Sequence, residues 1–476
     1  MYADNVKTIR ERAAMTVWMP DLGRGGGPKY LAIAAALAAD IRSGRLKPGD
    51  ALPPQRELAR LIGVDLTTVT RAFNEVRRQG LIEASGRRGS FVRGPLPEMR
   101  MLPAAAPLAV DWRMNLPPTA PGLHLADRFI DGYRVVLQAP DVAGRLQYQE
   151  AGGALPDRLA GADWLARRLG AVAEDRVVIA AGAQNALAAI CRLLLVPGDM
   201  VVTGELTFPG MKAVAERLGL QLVAVAGDAG GLDPDRLETL CRLHRPKALY
   251  CMPTMDNPTT VTLDAARRAR IGMVARQYGV WIIEDDAYGD LPATPLPAIA
   301  KLAPDRTWHI ASLAKCVSPA LRVAYVAVPG TADGLRLGAE IHAACVMAPP
   351  LNAALASMWI RDGSLAGIVA AMREENRTRH AALTGVLAGH GLVADPEAPH
   401  AWLPLPPRRD REAFAATLRQ HGLAAVASDA FAVVEQPPNG VRLSLGSLAD
   451  LGALGRVARL IDALLAGTGG PPASFV

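Results

Sequence analysis

Seven prolines crowd residues 94–121 of this chain: Pro95, Pro97, Pro103, Pro107, Pro117, Pro118 and Pro121. Each fixes φ and removes a backbone donor, which excludes a helix interior and a central strand. The stretch therefore reads as a Pro-rich, semi-extended linker, and the chain as two folding units on either side of it. The units are expected over residues 28–93 and 122–466, with a leader over 1–27 and a flexible tail over 467–476. Of the 476 residues, 50% are hydrophobic and 21% charged, enough for both units to bury a core.

Charge divides along the same line. Residues 1–94 hold 16 Lys/Arg against 9 Asp/Glu, and the rest 36 against 37, so the basic excess sits in the first unit. An anionic partner for that unit alone is implied. The longest charge-free stretch, Ile341 to Ile360, contains His342, Pro349, Pro350 and Asn352, which argues against a membrane span. No basic segment followed by an apolar run opens the chain, so a cytoplasmic location is expected. Five cysteines without a CxxC pair fit neither a disulfide framework nor a zinc ribbon. The eight histidines include no HExxH, and no metal is expected.

In the first unit, Ile33, Leu37 and Ile41 mark one stripe of a helix over Tyr30 to Ser43. A second helix follows Leu52-Pro53-Pro54, turns Leu58, Leu61 and Ile62 inward, and stops at Gly63. Asp65 is placed to cap a third, with Val69, Ala72, Phe73 and Val76 as its apolar face. Its other face carries Thr67, Thr70, Arg71, Asn74, Arg77 and Arg78, side chains suited to phosphates and base edges. Residues 81–84 and 90–93 pair as a wing with Arg87 and Arg88 at its tip. Helix, helix, turn, basic helix and basic wing make a winged helix-turn-helix, an α+β DNA-binding unit.

The runs Gly44-Arg45-Leu46-Lys47-Pro48-Gly49-Asp50, Leu52-Pro53-Pro54-Gln55-Arg56-Glu57-Leu58-Ala59 and Thr68-Val69-Thr70-Arg71-Ala72-Phe73 resemble the GntR family of bacterial regulators. Gly86-Arg87-Arg88-Gly89-Ser90-Phe91-Val92 continues the resemblance. It implies that Arg56, Thr68, Arg71, Arg87 and Arg88 contact double-stranded DNA. Asp65-Leu66 stands where many relatives carry Ser-Arg, so the operator preference does not carry over.

The second unit alternates apolar strand-like runs with helical ones, the pattern of an α/β domain with a mostly parallel sheet. Val177-Val178-Ile179-Ala180 runs into Ala181-Gly182-Ala183-Gln184, a glycine turn that presents N–H groups at a helix start. Val280-Trp281-Ile282-Ile283 ends in Glu284-Asp285-Asp286-Ala287-Tyr288, placing carboxylates where open α/β sheets bind ligands; a metal or capping cluster is the other reading of that run. Ser312-Leu313-Ala314-Lys315 follows a further strand, with Arg322 seven residues on. A lysine in an apolar pocket can lose its proton and attack a carbonyl. The Ser-x-x-Lys of β-lactamases is the rival, but it needs Ser-x-Asn and Lys-Thr-Gly, and neither is present.

Together these segments resemble the class I aminotransferases, fold-type I pyridoxal 5'-phosphate proteins, over about residues 115–465. The resemblance implies that Lys315 forms the internal aldimine and that Asp285 pairs with the pyridine nitrogen. Tyr288 and Asn257 would bond the ring phenolate oxygen, and Phe208 would stack on the ring. Ser312, Arg322 and the backbone of Gly182, Ala183 and Gln184 would hold the phosphate. Arg442 matches an arginine that clamps an α-carboxylate, with an ordinary strand-edge arginine as the alternative. Tyr148 matches a tyrosine that reaches the phosphate of a neighbouring subunit, which implies a homodimer.

A GntR-type winged helix joined to an aminotransferase-like domain is the arrangement of MocR-type regulators. By that resemblance the chain is a pyridoxal-phosphate-dependent transcriptional regulator. It would sense an amine, an amino acid or the cofactor itself through Lys315, as a dimer on operator half-sites. An active aminotransferase with an accessory DNA-binding domain is the alternative.

Overall fold

The computed structural model describes residues 18–21, 28–84, 89–92, 114–448 and 450–467. The chain divides into two units, residues 1–110 and 111–476. The tail expected over 467–476 lies almost wholly outside the described residues, as do Arg87 and Arg88.

Unit 1 has three helices, α1 (Lys29–Arg42), α2 (Gln55–Ile62) and α3 (Leu66–Arg78), and a ribbon of β1 (Ile82–Ala84) and β2 (Ser90–Val92). The ribbon is antiparallel, with Ile82 opposite Val92. Ile33, Leu37, Leu58, Val69, Phe73 and Val76 close the core between the helices. Burying each large apolar side chain contributes about 1.5–3 kcal/mol. Gly63 ends α2 at φ 65°, a left-handed cap that lets the chain turn into α3.

Three expectations change here. Leu61 is 44% exposed, because α2 has two turns and turns Leu58, Ala59 and Ile62 to the core. Asp65 sits at the start of α3, but its carboxylate makes no capping bond. Trp18, in the expected leader, is buried against the core, with its indole Nε1 donating to Asp40 Oδ2 at 2.8 Å.

Unit 2 is built on a seven-stranded sheet. Its strands are β3 (Val177–Ala180), β4 (Met200–Gly204), β5 (Gln221–Val225), β6 (Ala248–Cys251), β7 (Trp281–Asp285), β8 (Thr307–Ser312) and β9 (Ala324–Ala327). The spatial order is β3-β9-β8-β7-β6-β4-β5. All pairs are parallel except those of β9, which runs antiparallel to both β8 and β3. Strands such as β3 and β8 are buried along their whole length, as a sheet covered on both faces requires. Among the covering helices, α4 (Leu155–Leu169) and α5 (Ala183–Leu194) pack on β3 and β8.

A smaller antiparallel sheet follows, of β10 (Val393–Ala394), β11 (His400–Pro404), β12 (Ala424–Ala427) and β13 (Gly440–Ser444), ordered β10-β11-β13-β12. It has its own core, with Leu403, Phe414, Leu418, Val441, Leu443 and Leu454 among its members. No described helix is long and apolar enough to cross a membrane.

The linker expected as far as residue 121 ends earlier. Asn115, Pro118 and Ala120 are buried within unit 2, and Leu116 N donates to Ser444 Oγ at 2.9 Å. Proline excludes regular elements but not packing, so extended chain here lies in the fold rather than between folds.

Candidate functional site: a pocket at the strand ends

Sheet register gathers the residues that sequence spacing leaves far apart. Ala324 on β9 pairs with Ala180 on β3, so Arg322, two residues before one, meets Ala181 and Gly182, just after the other. Arg322 Nη2 donates to Ala181 O at 2.8 Å. Gly182, at φ 89°, starts α5, and a Cβ there would lie 2.6 Å from Arg322 Nη2. Only glycine leaves that corner open beside the N–H groups of Ala183 and Gln184. Ser312 ends β8 buried, with its Oγ accepting from Ala314 N at 3.2 Å. Ser312, Lys315, Arg322 and Gly182 thus border one corner, made by the β8–β9 connection and the start of α5.

Phe208 joins Gln184 a short way off. Gln184 Nε2 donates to Gly210 O at 3.1 Å, and a Cβ on Gly210 would strike the Phe208 ring.

Strand alternation sorts the three carboxylates after Ile283. Glu284, in register with His309 of β8, bonds it at 2.9 Å and accepts from Ile299 N and Ala300 N. Asp286 pairs with buried Arg168 at 3.0 Å. Asp285 faces the other way. Its Oδ2 accepts from Tyr250 Oη at 2.9 Å, while Oδ1 is buried without a hydrogen-bond partner among the described residues. Burial, with Asp286 nearby and against the Tyr250 bond, pushes the Asp285 carboxyl up to about 6. The metal-site reading of this run does not hold: Glu284 and Asp286 are turned to other partners.

Lys315 is half-buried, and burial, helped by Arg442 and Arg322, brings its amine down to about 8. Its Nζ donates to the backbone oxygen of Asn115. Tyr288 is buried, and its Oη lies 2.8 Å from Asn115 Nδ2. Asn257 Oδ1 accepts from Arg442 Nη1 at 3.1 Å. Arg442 lies on β13, between β11 and β12, and is 2% exposed, so it is not a strand-edge arginine. Its Cζ sits 5.2 Å from the centre of the Phe431 ring. Tyr148 is not gathered in: it is 83% exposed.

Three residues of this pocket escape sequence reading. Tyr250 sits in an apolar strand, Asn115 among prolines, and His400 between Pro399 and Ala401. A phenol one residue from the end of a strand next to the aspartate strand is the only signal Tyr250 offers: it is registered with Ile283, on the face of Asp285.

On unit 1, Arg56, Thr67, Arg71 and Asn74 are exposed, and Thr68 and Thr70 half-buried. Arg71 lies 4.3 Å over the Tyr30 ring. Thr70 Oγ1 donates to Gln55 Oε1 at 2.9 Å, which ties α3 to α2.

The pocket suits pyridoxal phosphate on its own chemistry. It offers a lone buried carboxylate oxygen for a protonated ring nitrogen, a glycine corner beside an arginine for a phosphate, and a lysine of lowered pKa for the aldehyde. Residues 29–92 match the family of bacterial regulatory proteins of the gntR type. Residues 132–457, more than half the chain, match aminotransferase class I and II. The chain belongs to the aminotransferase class I and II family and carries a GntR-type DNA-binding domain ahead of it. That is the arrangement of a MocR-type, pyridoxal-phosphate-dependent transcriptional regulator.

Among relatives, the chain is similar to the uncharacterized HTH-type transcriptional regulator YdeF of Bacillus subtilis (strain 168). The two are 29% identical over 430 residues, 90% of this chain and 92% of the relative. It is also similar to the vitamin B6 salvage pathway transcriptional repressor PtsJ of Salmonella typhimurium, at 27% over 414 residues, 86% of this chain and 92% of that one. The fold matches the kynurenine aminotransferase of Pyrococcus horikoshii with a TM-score of 0.69 at 21% identity, over 75% of this chain and 91% of that structure.

Proposed function

We propose that unit 2 is the sensor of this regulator, and that it responds to a primary amine, an amino acid or pyridoxal phosphate itself. The observation that carries this reading is that Lys315, whose amine is brought down to about 8, shares the pocket with the buried Oδ1 of Asp285, which has no hydrogen-bond partner among the described residues. Lys315 would hold the cofactor covalently, and Asp285 its ring nitrogen. Ser312, Arg322 and the N–H groups of Gly182, Ala183 and Gln184 would hold its phosphate, with Phe208 against the ring. When bound, pyridoxal phosphate supplies an electrophilic carbon for amines and a ring that withdraws electrons.

The chain's own groups govern the exchange of one amine for another. Lys315 would attach the cofactor through Nζ, and its lowered pKa lets that amine hold or release a proton near neutral pH. Arg442 would orient a carboxylate on that amine. The name of PtsJ, a vitamin B6 salvage repressor, supports the cofactor as a signal in its own right.

Ile130, Val135, Leu137, Leu146, Tyr148, Leu155 and Leu159 are all exposed within one 30-residue span, 130–159. So many exposed large apolar side chains in one span support a homodimer, with Tyr148 reaching the partner's phosphate site and two winged helices on operator half-sites. Arg56, Thr67, Thr68, Thr70, Arg71 and Asn74, with Arg87 and Arg88 of the wing, would contact that DNA. The protein would act in the cytoplasm, with the nucleoid when on DNA.

The test is an amine screen on holoprotein followed by visible absorption. An effector shifts the band of the wild type, and Lys315→Ala treated with cofactor but no amine lacks that band. A band of the same form and stability in Lys315→Ala contradicts the assignment. Release of keto acid in the same assay would favour the alternative, an active aminotransferase.

A further inference from the structure

Tyr288 and Asn257 flank the place proposed for the cofactor's phenolate oxygen. What each can offer there depends on what holds its other side. Arg442 has only N–H groups, so Asn257 Oδ1 accepts from it and the Asn257 amide nitrogen is left to donate. A tyrosine hydroxyl is different, because it can donate or accept. Its direction is set by the neighbour, and that neighbour is Asn115.

Asn115 is buried, and its Nδ2 lies 2.8 Å from Tyr288 Oη and 3.1 Å from His400 Nδ1. His400 Nε2 lies 3.0 Å from the Asp256 carbonyl oxygen, which can only accept, so Nε2 carries the hydrogen. Burial pushes the pKa of His400 down to about 3, which keeps the ring neutral and Nδ1 an acceptor. The Asn115 amide must then donate to it. Both amide hydrogens are accounted for, one to His400 and one to Tyr288. Tyr288 accepts, and its own hydrogen is turned toward the pocket.

We propose that Asn115 is a positioning residue: through the relay Asp256 carbonyl, His400, Asn115, it fixes Tyr288 as a hydrogen-bond donor to the phenolate oxygen. The inference rests on the proposed placement of the cofactor. The backbone around Asn115 has little freedom to do otherwise. Leu116 N donates to Ser444 Oγ, and a Cβ on Gly446 would come within 2.2 Å of Leu116 O. The charged groups that bear on Tyr288 come from other elements, Asp285 on β7, Arg442 on β13 and Asp256 after β6, while Lys315 Nζ meets the Asn115 backbone oxygen. A substitution at Asn115 leaves all four in the chain.

A donor at the phenolate oxygen favours its more negative, deprotonated state, so it lowers the pH at which the cofactor's visible band titrates. The experiment is a pH titration of that band in holoprotein, as wild type, Asn115→Ala, Asn115→Ser and Asn115→Asp. An aspartate can only accept, and it draws the Tyr288 hydrogen away from the pocket. Its titration should move up by on the order of one pH unit, a tenfold change, with smaller upward shifts for alanine and serine. The last two keep the test decisive if the aspartate variant does not fold. Variants that bind the cofactor and titrate as the wild type does overturn the inference. So do variants that lose cofactor affinity with the titration unmoved, because that is what packing alone would give. A wild type with no titrating band would instead overturn the cofactor placement itself.

Discussion

The two polar surfaces of this chain are built in opposite ways. On α3 and α2, Arg56, Thr67, Arg71 and Asn74 stand in solvent, and few partners fix their geometry. In the pocket of unit 2, Asp285, Tyr288, Asn257 and Arg442 are buried, each held by a named neighbour. A charge in water is cheap to keep and acts by attracting phosphates, with little demand on exact position. A buried polar group is costly unless partnered, so its partners dictate its direction. The difference teaches where each substitution should act: on salt-dependent affinity in one unit, on chemistry and fold in the other.

The largest effect belongs to Lys315→Ala, which should abolish the stable visible band of bound pyridoxal phosphate while leaving salt-dependent binding to random DNA intact. Loss of both would break the comparison, because it would mean that the units fold as one. Next comes Leu58→Ala, at the centre of the unit 1 core, expected to cost about 2–5 kcal/mol in the unfolding of that unit.

Asp285→Asn should act in the opposite sense on protein prepared without cofactor. The folded carboxyl is raised to about 6 by burial, so the fold binds the proton more tightly than the unfolded chain does. Stability therefore falls as pH rises from the unfolded value to about 6, and stays lower above it. The amide removes that loss: at pH 7.5 the variant should be more stable by roughly 3 kcal/mol, and near pH 4 by almost nothing. Thermal unfolding at the two pH values measures it, and cofactor affinity should fall in the same variant.

Arg71→Ala should weaken DNA binding about tenfold and lower the slope of log affinity against log salt by about one. Leu61→Ala is the smallest, within about 0.5 kcal/mol, since its side chain is largely in water. A large effect at Leu61 would mean that the exposed face of α2 is covered by something.

Much of this architecture is legible from residues alone, and the reason is local spacing. Ser312, Lys315 and Arg322 lie within one connection, and Asp285 and Tyr288 within one strand end, so the pocket's chemistry shows as short motifs. The winged helix is legible for the same reason, from stripes such as Val69, Phe73 and Val76. Leu61 misleads because a two-turn helix offers too few residues to define a face. Asn115 is hidden by the prolines around it, which signal irregular chain whether it is packed or not. Tyr250 and His400 act through partners that only the strand register brings near, 35 residues away for Tyr250 and Asp285. No spacing rule reaches across that distance.

The central claim is that occupancy of the pocket in unit 2 alters what unit 1 does on DNA. Its most direct test is a titration of the full chain on its own upstream region and on random DNA, at fixed salt, with and without pyridoxal phosphate. Salt has to be held constant, because a handful of phosphate contacts changes affinity by about 10³ or more over the usual range. The account predicts preference for the upstream region and a Kd that shifts with the cofactor in the wild type but not in Lys315→Ala. Equal binding to both DNAs, unmoved by the cofactor, would contradict it.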